Sequence, residues 1–154
     1  MAIESWIDQI AKAFEIDDGR GGTVLSYRVF ERAEFPESLS DFPCALTYPT
    51  GVTSQYSVSG PAIDLWTGQT EFHITPNVDK SSFPQVIKYI ARIRNAAAQN
   101  IRLNSTVEHF LLRVTDVSIQ GPVELRYGSD EPHLGLMVYW IVKENVSGDF
   151  TVSA

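Results

Sequence analysis

Apolar residues return at helical spacing at the start of the chain, at Ile3, Trp6, Ile7, Ile10, Ala13 and Phe14. Glu4, Asp8, Gln9 and Lys12 fill the positions between them. A period near 3.6 puts the two sets on opposite faces, which predicts an amphipathic helix of about three turns that stops near Asp17-Asp18-Gly19. A stronger helical pattern begins at Ser81-Ser82-Phe83-Pro84. Ser82 reads as the N-cap, Phe83 as the first helical residue, and Pro84 falls in the first turn, where its missing N–H costs little. Phe83, Val86, Ile87, Ile90, Ile93 and Ala97 make the apolar stripe, with Lys88, Arg92, Arg94 and Gln99 outward and Asn100 at the end.

The remainder reads as sheet. Residues 23–42 are ambiguous, since Val24, Leu25, Tyr27, Val29 and Phe30 suit a strand or a short helix. Phe42 to Tyr48 is a strand, ended by Pro49-Thr50-Gly51. Residues 49–62 are rich in Pro, Thr, Ser and Gly and read as a long loop or a loosely paired hairpin with Tyr56 at its middle. Ile63 to Thr75 is strand-like, interrupted by a turn or bulge at Gly68. From Val107 the pattern predicts a three-stranded meander, with turns at Gly121-Pro122 and at Gly128 to Pro132 and a last strand from Leu134 to Lys143. These elements predict an α+β fold, a mostly antiparallel sheet with two main helices packed on one face. The expected organisation is a single domain over 1–154, with a tail after about residue 145 that is flexible or forms an interface.

Composition narrows the function classes. The formal charge is −7, against backbone-type nucleic-acid binding, which needs clustered Lys and Arg. No apolar run approaches the about 18 residues that would span a membrane, and the acidic N-terminus does not resemble a secretory signal. The single cysteine, Cys44, lies in the apolar run Phe42-Pro43-Cys44-Ala45-Leu46 and reads as a small core residue.

The search for chemistry is negative. His73, His109 and His133 are widely separated, and none has a second ligand at metal spacing; His73 and His109 read as strand-surface or half-buried sheet residues, and His133 as a turn-to-strand residue near a possible interface. Gly19, Gly21 and Gly22 lack the Gly-Lys-Ser/Thr ending of a phosphate loop. Asp130 and Glu131 resemble a catalytic carboxylate pair, but Gly-Ser-Asp-Glu-Pro is turn chemistry. No Gly-x-Ser-x-Gly elbow frames a nucleophile. No catalytic residue, cofactor or metal is therefore expected. Trp140, on an apolar strand, reads as core. Tyr48 and Tyr56, which bracket the long loop, and Trp66 suit a protein interface, where aromatics carry much of the binding energy.

Several segments, in order, resemble the tail terminator (tail completion) proteins of long-tailed bacteriophages. They are Phe42-Pro43-Cys44-Ala45-Leu46-Thr47-Tyr48-Pro49, then Trp66-Thr67-Gly68-Gln69-Thr70-Glu71-Phe72-His73-Ile74-Thr75 and the helix Phe83 to Asn100. Gly121-Pro122-Val123-Glu124-Leu125-Arg126-Tyr127-Gly128 and His133-Leu134-Gly135-Leu136 follow, closing on Val142-Lys143-Glu144. The resemblance covers roughly residues 40–145 and carries no catalytic signature. It implies an α+β subunit that assembles as a homohexameric ring in the virion, at the head-proximal end of the tail, after synthesis in the host cytoplasm. Its partners would be copies of itself, the tail tube protein and the head-side connector protein, with DNA passing through the lumen unbound. Tyr48, Tyr56, Trp66, Ala96, Ala98, His133 and Phe150 are the candidate interface residues. The alternatives are a head–tail connector or tail tube subunit, whose long hairpin residues 49–62 could supply, and, from another class, a small enzyme or ligand-binding domain.

Overall fold

The computed structural model describes residues 7, 10–19, 21–28, 39, 42–56, 62–76, 78–99, 112–128 and 131–146. Five strands form one sheet: β1 (Leu25–Arg28), β2 (Cys44–Gln55), β3 (Ala62–Thr75), β4 (Leu112–Leu125) and β5 (His133–Val146). One long helix, α1 (Phe83–Gln99), follows β3 after a single 3₁₀ turn at Lys80–Ser82. The spatial order is β1-β2-β3-β5-β4. β1 lies parallel to β2, and the other three pairings are antiparallel.

This architecture corrects the expected sheet with two main helices. The protein is mostly β, its sheet is mixed, and α1 is the one long helix among the described residues. At the N-terminus only Ile7 and Ile10–Ala13 are helical among the described residues. The excess of strand has a local cause. Three places with turn residues lie inside long strands instead of ending them. At Pro49-Thr50-Gly51 the register of β2 on β3 slips by a bulge and pairing resumes to Gln55. Gly68 sits mid-strand in β3, paired on both sides. At Gly121-Pro122 β4 slips on β5 between Gln120 and Val123 and continues, so the expected meander is a two-stranded hairpin. Gly121 takes φ 140°, a conformation that side chains rarely adopt. Bulges absorb an unpaired residue without ending a strand.

Register sorts side chains onto two faces, because directly opposed residues point the same way. Ala45, Phe72 and Leu136 share one row; Thr47, Thr70, Val138 and Ile119 the next; Trp66 and Val142 lie further along. This is the helix side. Val86, Tyr89, Ile93 and Ala96 of α1 cluster there with Phe72, Ile74, Leu134, Leu136, Val138, Trp140 and Val142. Ile7, Ile10 and Phe14 join the same cluster, Phe14 meeting Phe72 edge-to-face with centroids 5.4 Å apart. The buried stripe of α1 is thus rotated from the expected one. Tyr89 is buried, whereas Ile87 is 50% exposed. Two tethers explain the rotation: the Tyr89 hydroxyl donates to the Asp18 carbonyl at 3.0 Å, and Arg92 donates to the Asp17 carbonyl at 3.1 Å while lying over the Tyr89 ring. The helical entry differs too. Asp79, not Ser82, is the cap, and its carboxylate accepts from the Ser82 N–H at 3.1 Å.

The centre of the helix side holds a polar contact. The indole of Trp140 lies across Gly68 and donates to the Thr70 hydroxyl at 3.1 Å, and Thr70 meets the Thr47 hydroxyl at 3.0 Å, all buried. A Cβ at Gly68 would stand 2.1 Å from the indole ring. Gly68→Ala should therefore destabilise the protein by at least about 1–3 kcal/mol, by overpacking against an immobile ring. Thr70→Val should cost about 1–3 kcal/mol by removing the hydroxyl that accepts from the buried indole N–H. Thermal unfolding checks both, and a Gly68→Ala protein as stable as the parent would contradict this packing.

Candidate functional site

The opposite face of the sheet carries a connected group of ionisable side chains. Its rows are Cys44, His73, Gly135 and Val123; then Leu46, Glu71, Met137 and Gln120; then Tyr48, Gln69, Tyr139 and Ser118. Leu39, Cys44 and Leu46 form a small second cluster here, flanked by Tyr27, Phe42 and Tyr127. Under it lies a chain of polar contacts across the strands. His73 and His133, sixty residues apart in sequence, meet Nδ1 to Nδ1 at 3.1 Å. His73 Nε2 lies 3.1 Å from Glu71 Oε1, and the Tyr48 hydroxyl donates to Glu71 Oε2 at 2.5 Å. The phenol also stands 2.9 Å from the Gln69 side-chain amide. His73 is fully buried and His133 is 5% exposed. Phe42 packs edge-on against His133 with centroids 4.7 Å apart, and Tyr127 edge-on against His73 at 6.2 Å.

The electrostatics follow from this chain. Burial pushes the Glu71 carboxyl up, but the bonds from His73 and Tyr48 and the attraction of His73 outweigh it and hold Glu71 below the usual carboxylate range. Burial, then the bond to Glu71, holds the Tyr48 phenol well above its ordinary value. An ionised Glu71 can only accept, so a proton sits on His73 Nε2. With His73 neutral, its Nδ1 accepts from the His133 Nδ1–H; with His73 protonated, donor and acceptor exchange.

Glu144 is the second perturbed carboxyl, buried on the helix side. It stands opposite Asp64. Burial raises it above the usual range; the nearby Trp66 indole opposes that rise, and Asp64 adds to it.

The expected site residues fall in different places. Tyr48 joins the histidine chain. Tyr56 follows β2 and is 74% exposed. Trp66 is half-buried against the main core. Ala96 is buried against the sheet and Ala98 is exposed. His133 opens β5 inside the subunit. Phe150, His109 and Asp130 lie outside the described residues, and Glu131 is exposed. The reading of His73 as a strand-surface or half-buried residue is corrected, because its ring is fully covered. Glu71 and Gln69 were not singled out in the sequence. Their signal was alternation with His73 at spacings of two, which puts all three on one face of a strand.

Cys44 stands opposite His73 in the register. Even so, among the described residues no group of three His, Cys, Asp or Glu side chains is placed to hold a metal ion. Near Asp17–Gly22 the carboxylates of Asp17 and Asp18 accept the Gly19 and Gly22 amides at 2.7 and 3.1 Å, so this glycine loop already spends those donors on its own acids. No helix among the described residues is long and apolar enough to cross a membrane. No protein-family model matches the chain, and no curated protein matches its sequence.

The two carboxyls should respond to pH in opposite senses. Glu71, held low in the fold, contributes stability that is present above the ordinary value of 4.5 and lost as pH falls through its folded value. Glu144, held high, favours the fold below that value and opposes it as pH rises through its folded value. Glu71→Gln should thus lower the melting temperature at pH 7 and converge on the parent in acid. Glu144→Gln should raise it at pH 7, with the gain vanishing towards pH 4. Melting curves across that range check both signs.

Proposed function

We propose that this chain is a ring-forming structural protein of a phage virion, which caps the tail tube, ends its polymerisation and helps join the tail to the head. The observation that supports this most is the outer half of the β2–β3 hairpin. Gly51–Tyr56 is exposed throughout, and no charged residue occurs between Asp41 and Asp64. Exposed strand edges in monomeric proteins are blunted by charge, because bare N–H and C=O groups pair with other chains. β1 covers β2 only from Cys44 to Thr47, and among the described residues no strand lies outside Tyr48–Gln55.

The opposite edge of the sheet is β4. Pairing the β2 edge of one copy with the β4 edge of the next is a heterologous contact, and such contacts close into a ring when their rotation permits. A face of this ring would meet the last ring of the tail tube protein and the other face the head-side connector. A charge of −7 per copy would repel DNA and let it pass through the lumen unbound. The length of the hairpin also favours a second reading, a tail tube subunit, which would use the same hairpin to polymerise.

Light scattering tests the ring: six copies of 17.2 kDa give about 103 kDa. A strict monomer at high concentration and low salt would count against it. Electron microscopy of the purified protein separates the two readings, with discrete rings expected for a terminator and growing tubes for a tube subunit. Deleting the gene should yield overlong tails or tails that do not join heads; normal tails of normal length would sink the proposal. Tyr56→Ala should change stability by less than about 0.5 kcal/mol and weaken association by about tenfold or more. If Tyr56→Ala unfolds the protein, the tyrosine is a packing residue and not a docking one.

A further inference from the structure

The outer edges of β2 and β4 match each other in length, direction and face. On β2, Gly51–Gln55 pairs without a break against residues 67–63 of β3, beyond the slip at Pro49/Gly51. On β4, Asp116–Gln120 pairs without a break against residues 141–137 of β5, between the slips at Val114/Asp116 and Gln120/Val123. Each stretch is five residues of regular strand. Gly51–Gln55 is exposed throughout, as are Asp116, Ser118 and Gln120, and among the described residues no strand pairs with the outer side of either stretch. Three successive antiparallel pairings, β2 with β3, β3 with β5 and β5 with β4, make β4 run opposite to β2. A second copy that continues the sheet with its helix on the same side therefore brings its β4 antiparallel to β2, the slightly more stable arrangement. The faces agree as well. Val52 and Ser54 lie on the helix side, as do Val117 and Ile119; Gly51, Thr53 and Gln55 lie on the other face, as do Asp116, Ser118 and Gln120.

We propose, resting on the ring reading, that the seam between copies is Gly51–Gln55 of one against Asp116–Gln120 of the next, antiparallel and with Thr53 opposite Ser118. This is the one register that engages both stretches over their whole length, and it keeps helix side with helix side. It sets Val52 against Ile119, so that Val52, 47% exposed in the single subunit, gains an aliphatic neighbour. On the other face the hydroxyls of Thr53 and Ser118 come within hydrogen-bonding reach. Asp116 is the only charged residue in the two stretches, and the Gln55 amide opposite it donates to its carboxylate. Ser54 against Val117 is the one pair without such a gain. The contact is heterologous, so each copy offers β2 to one neighbour and β4 to the other. The seam ends where β1 begins. β1 holds the edge of β2 at Cys44–Thr47, and on β4 the slip at Gly121-Pro122 bends the strand off the line of the seam after Gln120.

Two measurements on the whole chain test the seam. In the first, Thr53→Cys with Ser118→Cys is oxidised after assembly; Cys44 is buried and out of reach. Denaturing gels should show a ladder of disulfide-linked multimers, whereas Ser54→Cys with Ser118→Cys, on opposite faces, should stay unlinked. Rings seen by electron microscopy without a link between positions 53 and 118 overturn the seam and leave the ring reading standing. A chain that stays monomeric overturns the ring reading and the seam with it. Linked dimers from Thr53→Cys alone show β2 paired with β2 and overturn the seam as well. In the second measurement, Gln55→Glu sets two carboxylates opposite each other and should weaken association about fivefold or more at low salt, and adding Asp116→Lys should restore it. Both positions are exposed, so the melting temperature of the unassembled subunit should not change. No weakening, or a weakening that Asp116→Lys does not reverse, overturns the register.

Discussion

The fold depends on the crossing of Trp140 over Gly68. β3 and β5 are the two inner strands of highest pairing, and a ring as large as indole can lie flat between them and α1 only where the neighbouring position has no Cβ. The indole N–H must then find an acceptor inside the core, and Thr70 supplies it, with Thr47 of β2 meeting Thr70 in turn. One aromatic ring therefore sets the register of three strands at once. A slip of one residue on either side would put the threonines on the wrong face and leave a buried donor unpaired.

That register divides the molecule chemically. Even-numbered positions of β3 and β5 face α1 and hold the apolar core, with Trp140 and the threonines as its satisfied polar centre and Glu144 as the buried carboxyl at its margin. Odd-numbered positions of β3 face away and hold Gln69, Glu71 and His73, which with Tyr48 and His133 make one continuous chain of polar contacts. The hairpin presented without charge lies on the β1–β2 side of the sheet, which is where the proposed subunit contacts would form.

Much of the helical content was legible residue by residue. The stretch from Phe83 to Gln99 is a helix because its apolar positions recur at 3.6 and Pro84 stands where proline is harmless. Its buried face was only partly legible, since the ties of Tyr89 and Arg92 to the carbonyls of Asp17 and Asp18 join residues more than seventy apart. The strand content was underestimated for a related reason. Pro49-Thr50-Gly51, Gly68 and Gly121-Pro122 carry the same residues whether they end a strand or bulge within one, and the pairing partner across the sheet decides which.

By itself, the order of residues determined the location of α1, the alternation that puts Gln69, Glu71 and His73 on one side of a strand, the absence of charge between Asp41 and Asp64, and the overall acidity. These are properties of neighbours in sequence, carried by local periodicity and composition. Only the tertiary structure decided that His73 meets His133, that Tyr48 closes the chain through Glu71, and that Trp140 needs Gly68. Each of those is a contact between strands brought together by sheet order, and sheet order is set by which pairings bury the most apolar surface without stranding a polar group, a choice made over the whole chain at once.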